Sequence, residues 1–257
     1  MGNRKSSAGK TATYAGLDFQ FAELHRELIN IAVLANELLT PDSRQRLRGW
    51  IQDLESFRTS GSTGPWDWQT SEVIQTNPAQ EYEPHGRRCT FEVHGEMRAI
   101  WTIQKDRKSA KHFRLMGKAS TWLRIVGAKR GESAKCLAQW QIEIGDAQSP
   151  GCHFHVGVGQ QSADSLFPQG LSVPRLPGFL ITPTDALDFL LGELFQDRWA
   201  KKVGQDSDEA KAFGGPQKDR LVRLLQWKLG VVTAASGSSW NHLKRARPTE
   251  PGFLCST

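Results

Sequence analysis

The chain has 257 residues, of which 38% are hydrophobic and 23% charged, and its formal net charge is +6. These proportions belong to a globular protein with a sizeable core and exclude a disordered, low-hydropathy chain. No apolar run approaches the roughly 20 residues a membrane helix needs, and the positive excess favours acidic partners such as nucleic acid, an anionic surface or an acidic protein.

Residues 1–16 are small, polar and basic, and read as a disordered leader. Met1-Gly2-Asn3-Arg4-Lys5-Ser6 lacks the apolar core of a secretory signal and matches the short myristoylation pattern Met-Gly-x-x-x-Ser/Thr. Phe21, Leu24, Leu28, Ile31, Ala35 and Leu38 recur at helical spacing and predict a helix over residues 18–39. Thr40-Pro41-Asp42 ends it and starts a second, whose stripe is Leu47, Trp50, Ile51, Leu54 and Phe57. The two should form an antiparallel helical hairpin over 17–58. Residues 59–88 read as a linker, although Trp66 and Trp68 are too apolar to be left free.

The centre reads as strand. Phe91, Val93, Gly95, Met97, Ala99, Trp101 and Ile103 hold alternate positions, and Phe113 to Ile125 repeat the pattern on odd numbers. Cys136, Ala138, Trp140, Ile142 and Ile144 form a third run, and Cys152, Phe154, Val156 and Val158 a fourth. Short turns between them imply antiparallel neighbours. A proline-punctuated cover over 171–181 follows. Thr182-Pro183-Thr184-Asp185 then starts a helix carrying Leu187, Leu190, Leu191, Leu194, Phe195 and Trp199, and a last helix over 216–232 carries Leu221, Leu224, Leu225 and Leu229. The expected fold is α+β: a four-stranded antiparallel meander with helices packed on one face, an N-terminal helical hairpin and two C-terminal helices. The sheet domain with its helices spans 89–233, and 234–257 form a basic tail.

The candidate chemistry centres on Cys152-His153-Phe154-His155. Alternation sends Cys152 toward the apolar face and both imidazoles to the polar one. With a turn symmetric about Gln148, Glu143 lies opposite His153 and Gln141 opposite His155, close enough for carboxylate and imidazole to bond. Glu143, His153 and His155 could then hold a divalent transition metal or work as an acid/base centre, while Cys152, on the other face, reads as a buried thiol and is the candidate for transfer through a cysteine. The four cysteines (Cys89, Cys136, Cys152, Cys255) have no metal-ribbon spacing and read as buried free thiols of a reducing, cytoplasmic compartment. Lys105, Arg107, Lys108, Lys111 and Arg114 make a basic hairpin tip able to reach nucleic-acid phosphates. Trp122 is an aromatic on the polar side of its strand, with Met116 and Ile100 beside it, so that side should be partly covered by a partner or by residues 66–82.

In topology alone the order of a leading helix, four-strand meander, proline-rich segment and trailing helices resembles ubiquitin-conjugating domains. His153-Phe154-His155 stands near the place of that family's His-Pro-Asn motif, but without its proline and asparagine. The resemblance implies transfer through a cysteine, for which Cys152 stands upstream of the expected place. The reading from the residues is a binding or adaptor subunit of a multi-protein assembly, with other proteins as partners and nucleic acid within reach of the basic tips. The alternatives are an enzyme built on Glu143, His153 and His155, metal-dependent or a hydrolytic acid/base centre, and transfer through Cys152.

Overall fold

In the computed structural model the described residues are 14–79, 91–107, 109, 111–117, 119–129, 132–144, 152–157, 175–178 and 182–246. The leader up to residue 13, Cys89, Lys108, most of the proline-punctuated segment, the tail from 247 and Cys255 lie outside them. In chain order the elements are β1 (Tyr14–Gln20), α1 (Phe21–Leu34), α2 (Pro41–Thr59), β2 (Trp66–Gln69), β3 (Ile74–Gln75), β4 (Phe91–Lys105), β5 (His112–Met116), β6 (Ala119–Lys129), β7 (Lys135–Ile144), β8 (Cys152–Gly157), β9 (Arg175–Pro177), α3 (Pro183–Val203), α4 (Asp208–Thr233) and α5 (Ser239–Arg245). The fold is α+β on a large antiparallel sheet. Among the described residues, no helix is long and apolar enough to cross a membrane.

The sheet is larger than the four-stranded meander expected from periodicity. Nine strands run in the order β1-β5-β4-β6-β7-β8-β9, with β2 and β3 also pairing with β4. Residues 113–125 form two strands on one edge of β4, because Gly117 turns the chain at φ +67°. The six residues from Leu115 to Ser120 span only the four from Ile103 back to Ile100, so the partner of β4 carries two extra residues there. The break frees the outer edge of β5 for β1.

The sequence 14–20, divided above between leader and helix, is a strand whose Leu17 and Phe19 enter the core. Phe19 stacks on Phe113 at 5.5 Å and meets Trp101 edge-on at 6.1 Å. Two segments of the expected linker are also strands. Trp66 stacks on Phe57 at 4.6 Å, and Trp68 stacks on Trp50 at 4.3 Å while its indole N–H donates to the Trp50 carbonyl at 3.0 Å. The two tryptophans therefore hold β2 between α2 and β4.

On β4 the odd positions Val93, Gly95, Met97, Ala99, Trp101 and Ile103 face the core, as alternation requires. A Cβ built on Gly95 would meet Leu194 at 2.5 Å and Leu190 at 2.9 Å, so glycine here lets α3 lie directly on the sheet. The start of α3 is the predicted one: Thr182 accepts from the Asp185 amide at 3.1 Å, and Asp185 accepts from the Thr182 amide at 2.9 Å.

That capping box is tied to a buried ionic cluster. Arg220 of α4 donates to both carboxylate oxygens of Glu27 on α1, at 2.9 and 2.8 Å, and to Asp185 at 2.8 Å. Thr184 donates to Glu27 at 2.9 Å. Burial works against the Arg220 charge, but Asp185 and Glu27 outweigh it and hold the guanidinium above its ordinary range.

Asp188 is a different case. Burial pushes its carboxyl up, against a 2.7 Å bond donated by the Trp199 indole. A carboxyl raised in the folded state stabilises the fold at pH below its unfolded pKa of about 3.9, and that contribution is lost as pH rises through the folded pKa. Asp188→Asn keeps an oxygen acceptor for the indole without the charge. Its Tm should equal or exceed that of the parent at pH 7, with the difference shrinking as pH falls toward 4. A lower Tm at pH 7 would show that the carboxylate itself is favourable.

Helix α4 faces differently from expectation. Its buried positions include Arg220, Leu224 and Lys228, whereas Leu221, Val222, Leu225 and Leu229 are exposed, Leu229 by 64%. Leucine occurs on both sides of this helix, and the side packed on α1 is chosen by the bond from Arg220 to Glu27.

Candidate functional site on the polar sheet face

The pairing of β7 with β8 has the register expected from a symmetric turn: Glu143 opposite His153 and Gln141 opposite His155. The bond that forms is diagonal. His155 Nε2 lies 3.1 Å from Glu143 Oε2, while the Gln141 amide donates to Glu143 Oε1 at 2.5 Å. Glu143 is 4% exposed and His155 is partly open, its side chain 19% exposed. The carboxylate thus sits at the base of the pair with the imidazole above it. With Glu143 as acceptor, His155 Nε2 carries the hydrogen.

The backbone register puts His153 beside this pair, but its side chain and that of Cys152 lie outside the described residues. Cys152 is opposite Ile144, which is buried. Among the described residues no group of three or more metal-type side chains comes together.

Cys136 departs from the buried-thiol expectation. It is exposed, because Ile125 pairs with Ala138 while the next residue, Val126, pairs with Cys136. Leu137 is the extra residue of a bulge, which turns Cys136 to the side opposite Ala138.

The polar face extends beyond the pair in cross-strand rows. Arg98 stands opposite Trp122, Trp122 opposite Gln141, and Gln141 opposite His155. The next row sets Glu96 opposite Arg124 and Arg124 opposite Gln139. Between them opens a groove of about 380 Å³ lined by Glu96, Arg98, Ile100, Trp122, Arg124 and Gln139, with Val73 reaching in from between β2 and β3. The anomalous tryptophan of the sequence is therefore in this groove, with Ile100 beside it and Val73 as the contribution of residues 66–82.

Arg124 Nη2 holds Glu96 Oε2 at 2.8 Å, and His94 is 3.7 Å from the other oxygen. His94 first, then Arg124, keep the Glu96 carboxyl below its usual range despite burial. Sequence reading missed the groove. Its arginines are spaced by alternation like any polar strand residues, and only the β4–β6 register brings them together.

The basic hairpin tip is partly spent on the fold. Lys105 donates to the Ser60 carbonyl and lies 5.1 Å from the Phe57 ring centre, and Arg114 pairs with Asp106 at 2.9 Å. Arg107 and Lys111 are exposed. No protein-family model, no curated protein and no solved structure matches this chain.

Proposed function

We propose that the protein is an acid–base enzyme of the hydrolytic class working on the polar sheet face, with His155 as the proton carrier and Glu143 as the group that orients it. The observation that carries this reading is the 3.1 Å contact between a partly open imidazole and a carboxylate that is 4% exposed, on the same sheet face as a groove able to hold a small molecule. In the step proposed, His155 Nδ1 accepts a proton from water as the water oxygen bonds to the electrophilic centre. The same nitrogen returns that proton to the leaving group as its bond breaks, so charge and protons balance over the turnover.

The full chain would be assayed on p-nitrophenyl acetate, p-nitrophenyl phosphate and bis(p-nitrophenyl) phosphate, beside His155→Gln and Glu143→Gln. Positioned acid–base groups contribute roughly 100-fold or more, so His155→Gln should lose about that factor on at least one substrate with its melting temperature retained. Equal rates for parent and His155→Gln on all three would overturn the reading.

A second reading, a binding subunit of a larger assembly, is favoured by α4, which buries Arg220 and Lys228 while exposing Leu221, Val222, Leu225 and Leu229. Val222, Leu225 and Leu229 follow the spacing of a helix-pairing seam. The net charge of +6 and the exposed Lys218 on the same helix select an acidic amphipathic helix of another protein as the occupant. A synthetic helix with leucine on one face and glutamate on the other should bind the full chain by calorimetry and fail to bind Leu225→Asp/Leu229→Asp. Equal binding to both, or to neither, removes this reading, and a dimer in sedimentation would replace the acidic helix by a second copy.

A further inference from the structure

We infer that the groove on the same sheet face as Glu143 and His155 is a subsite for a small planar ring carrying one oxyanion group, a carboxylate or a phosphate, with Arg98 as the anion's partner and Trp122 as the ring's platform. The inference rests on the acid–base reading only in making this ligand the substrate; the binding stands on the groove itself.

Charge selects the anion. The charged side chains lining the groove are Glu96, Arg98 and Arg124, one carboxylate against two guanidiniums. Arg124 is already engaged by Glu96 at 2.8 Å. Among the described residues Arg98 makes no ion pair or side-chain hydrogen bond, and it is exposed at the groove's edge. An unpaired guanidinium presents a planar fork of donors suited to two oxygens of one carboxylate or phosphate. The neighbouring Glu96 does not repel that anion as a lone carboxylate would, because Arg124 offsets it.

The ring is selected by what lies opposite Arg98. Trp122 pairs with it across the sheet and is only half-buried, and Ile100 and Val73 supply apolar walls. Tryptophan and the aliphatic walls favour a flat, apolar body, and stacking on an indole depends little on which ring is offered. About 380 Å³ falls within the usual span of small-ligand sites, roughly 300–1,000 Å³. Trp122 is in turn opposite Gln141, which donates to Glu143. A ring on Trp122 with its anion on Arg98 therefore directs its far side across β7 toward His155.

The test is calorimetric titration of the full chain with five probes: adenosine 5′-monophosphate, adenosine, 2-naphthoate, 2-naphthamide and inorganic phosphate. At least one ring-plus-anion probe should bind at least ~10-fold tighter than its neutral counterpart, and the pair that shows the difference tells phosphate from carboxylate. A hydrogen bond to a charged group is worth a factor of roughly 10 to 100, so Arg98→Gln should weaken that probe by this much while leaving the neutral ring unchanged. Trp122→Leu should weaken both ring probes by about 10-fold. Equal affinity for charged and neutral rings, inorganic phosphate binding as tightly as the monophosphate, no binding of any probe, or an unchanged Kd in Arg98→Gln would each overturn the subsite. If binding follows Arg98 but hydrolysis ignores His155, the acid–base reading fails alone; if hydrolysis follows His155 but binding ignores Arg98, the subsite fails alone.

Discussion

Arg220→Ala is expected to destabilise the protein by about 3–5 kcal/mol, the range for removing one partner of a buried ion pair. The loss comes less from the missing attraction than from what remains. Glu27 is 0% exposed and would be left with only Thr184 donating to its carboxyl, while Asp185 would lose the Arg220 guanidinium and keep only its capping-box bond from the Thr182 amide among the bonds described. The damage should therefore reach three helices at once, since α1, α3 and α4 each contribute a side chain to the cluster. Urea titration of parent, Arg220→Ala and the double variant Arg220→Met/Glu27→Leu separates the contributions. The double variant removes both charges and should recover much of the loss, as apolar replacements of buried pairs do. If Arg220→Ala shifts the urea midpoint by less than the error of the titration, the cluster is more solvated than its geometry indicates.

Trp68→Ala is expected to cost about 3–5 kcal/mol, as emptying a large buried aromatic site does. Trp68 is 0% exposed, stacks on Trp50 at 4.3 Å and meets Trp101 edge-on at 6.1 Å. Trp68→Phe keeps an aromatic plane but drops the bond to the Trp50 carbonyl, and should cost less than the alanine variant. The prediction also tests whether residues 66–69 belong to the fold. A flexible linker would tolerate either change, whereas the β2 pairing with β4 requires that denaturant sensitivity fall on the whole protein in one transition. Two separate transitions in Trp68→Ala would show that the helical hairpin and the sheet part company.

Where sequence and structure agree, the deciding interaction is local. Thr40-Pro41 and Thr182-Pro183 carry their helix starts in adjacent residues, and both starts form as expected. The Glu143, Gln141, His153 and His155 register was legible because a short connection leaves few pairings and the polar alternation rules out slips by one residue. Where they differ, the deciding interaction is distant. Asp18 sits between Leu17 and Phe19, a three-residue alternation too short to outweigh the helical stripe that begins at Phe21, and only pairing with β5 makes it a strand. Cys136 changes face through a bulge at Leu137, whose side chain lies over Gly127 of the neighbouring strand. Arg220 carries no sequence mark of burial, because the carboxylate that draws it in is 193 residues away. The same holds for the groove: Trp122 stood out from its own strand, but Arg98 and Arg124 come to line one groove only through a register that absorbs two extra residues around Gly117.

The pairing of β1 with β5 has a kinetic consequence. Gln20 pairs in register with His112, so the first described strand waits for a partner more than ninety residues downstream. A chain emerging from the ribosome can form the α1–α2 hairpin early, from local contacts, but it cannot seat Leu17 and Phe19 until β4 and β5 have been made. Folding with this many remote pairings belongs to the millisecond-to-second class rather than the microsecond one. Until closure the aromatic cluster of Phe19, Phe113 and Trp101 is incomplete, and apolar surface left open in that interval is an aggregation hazard for the nascent chain.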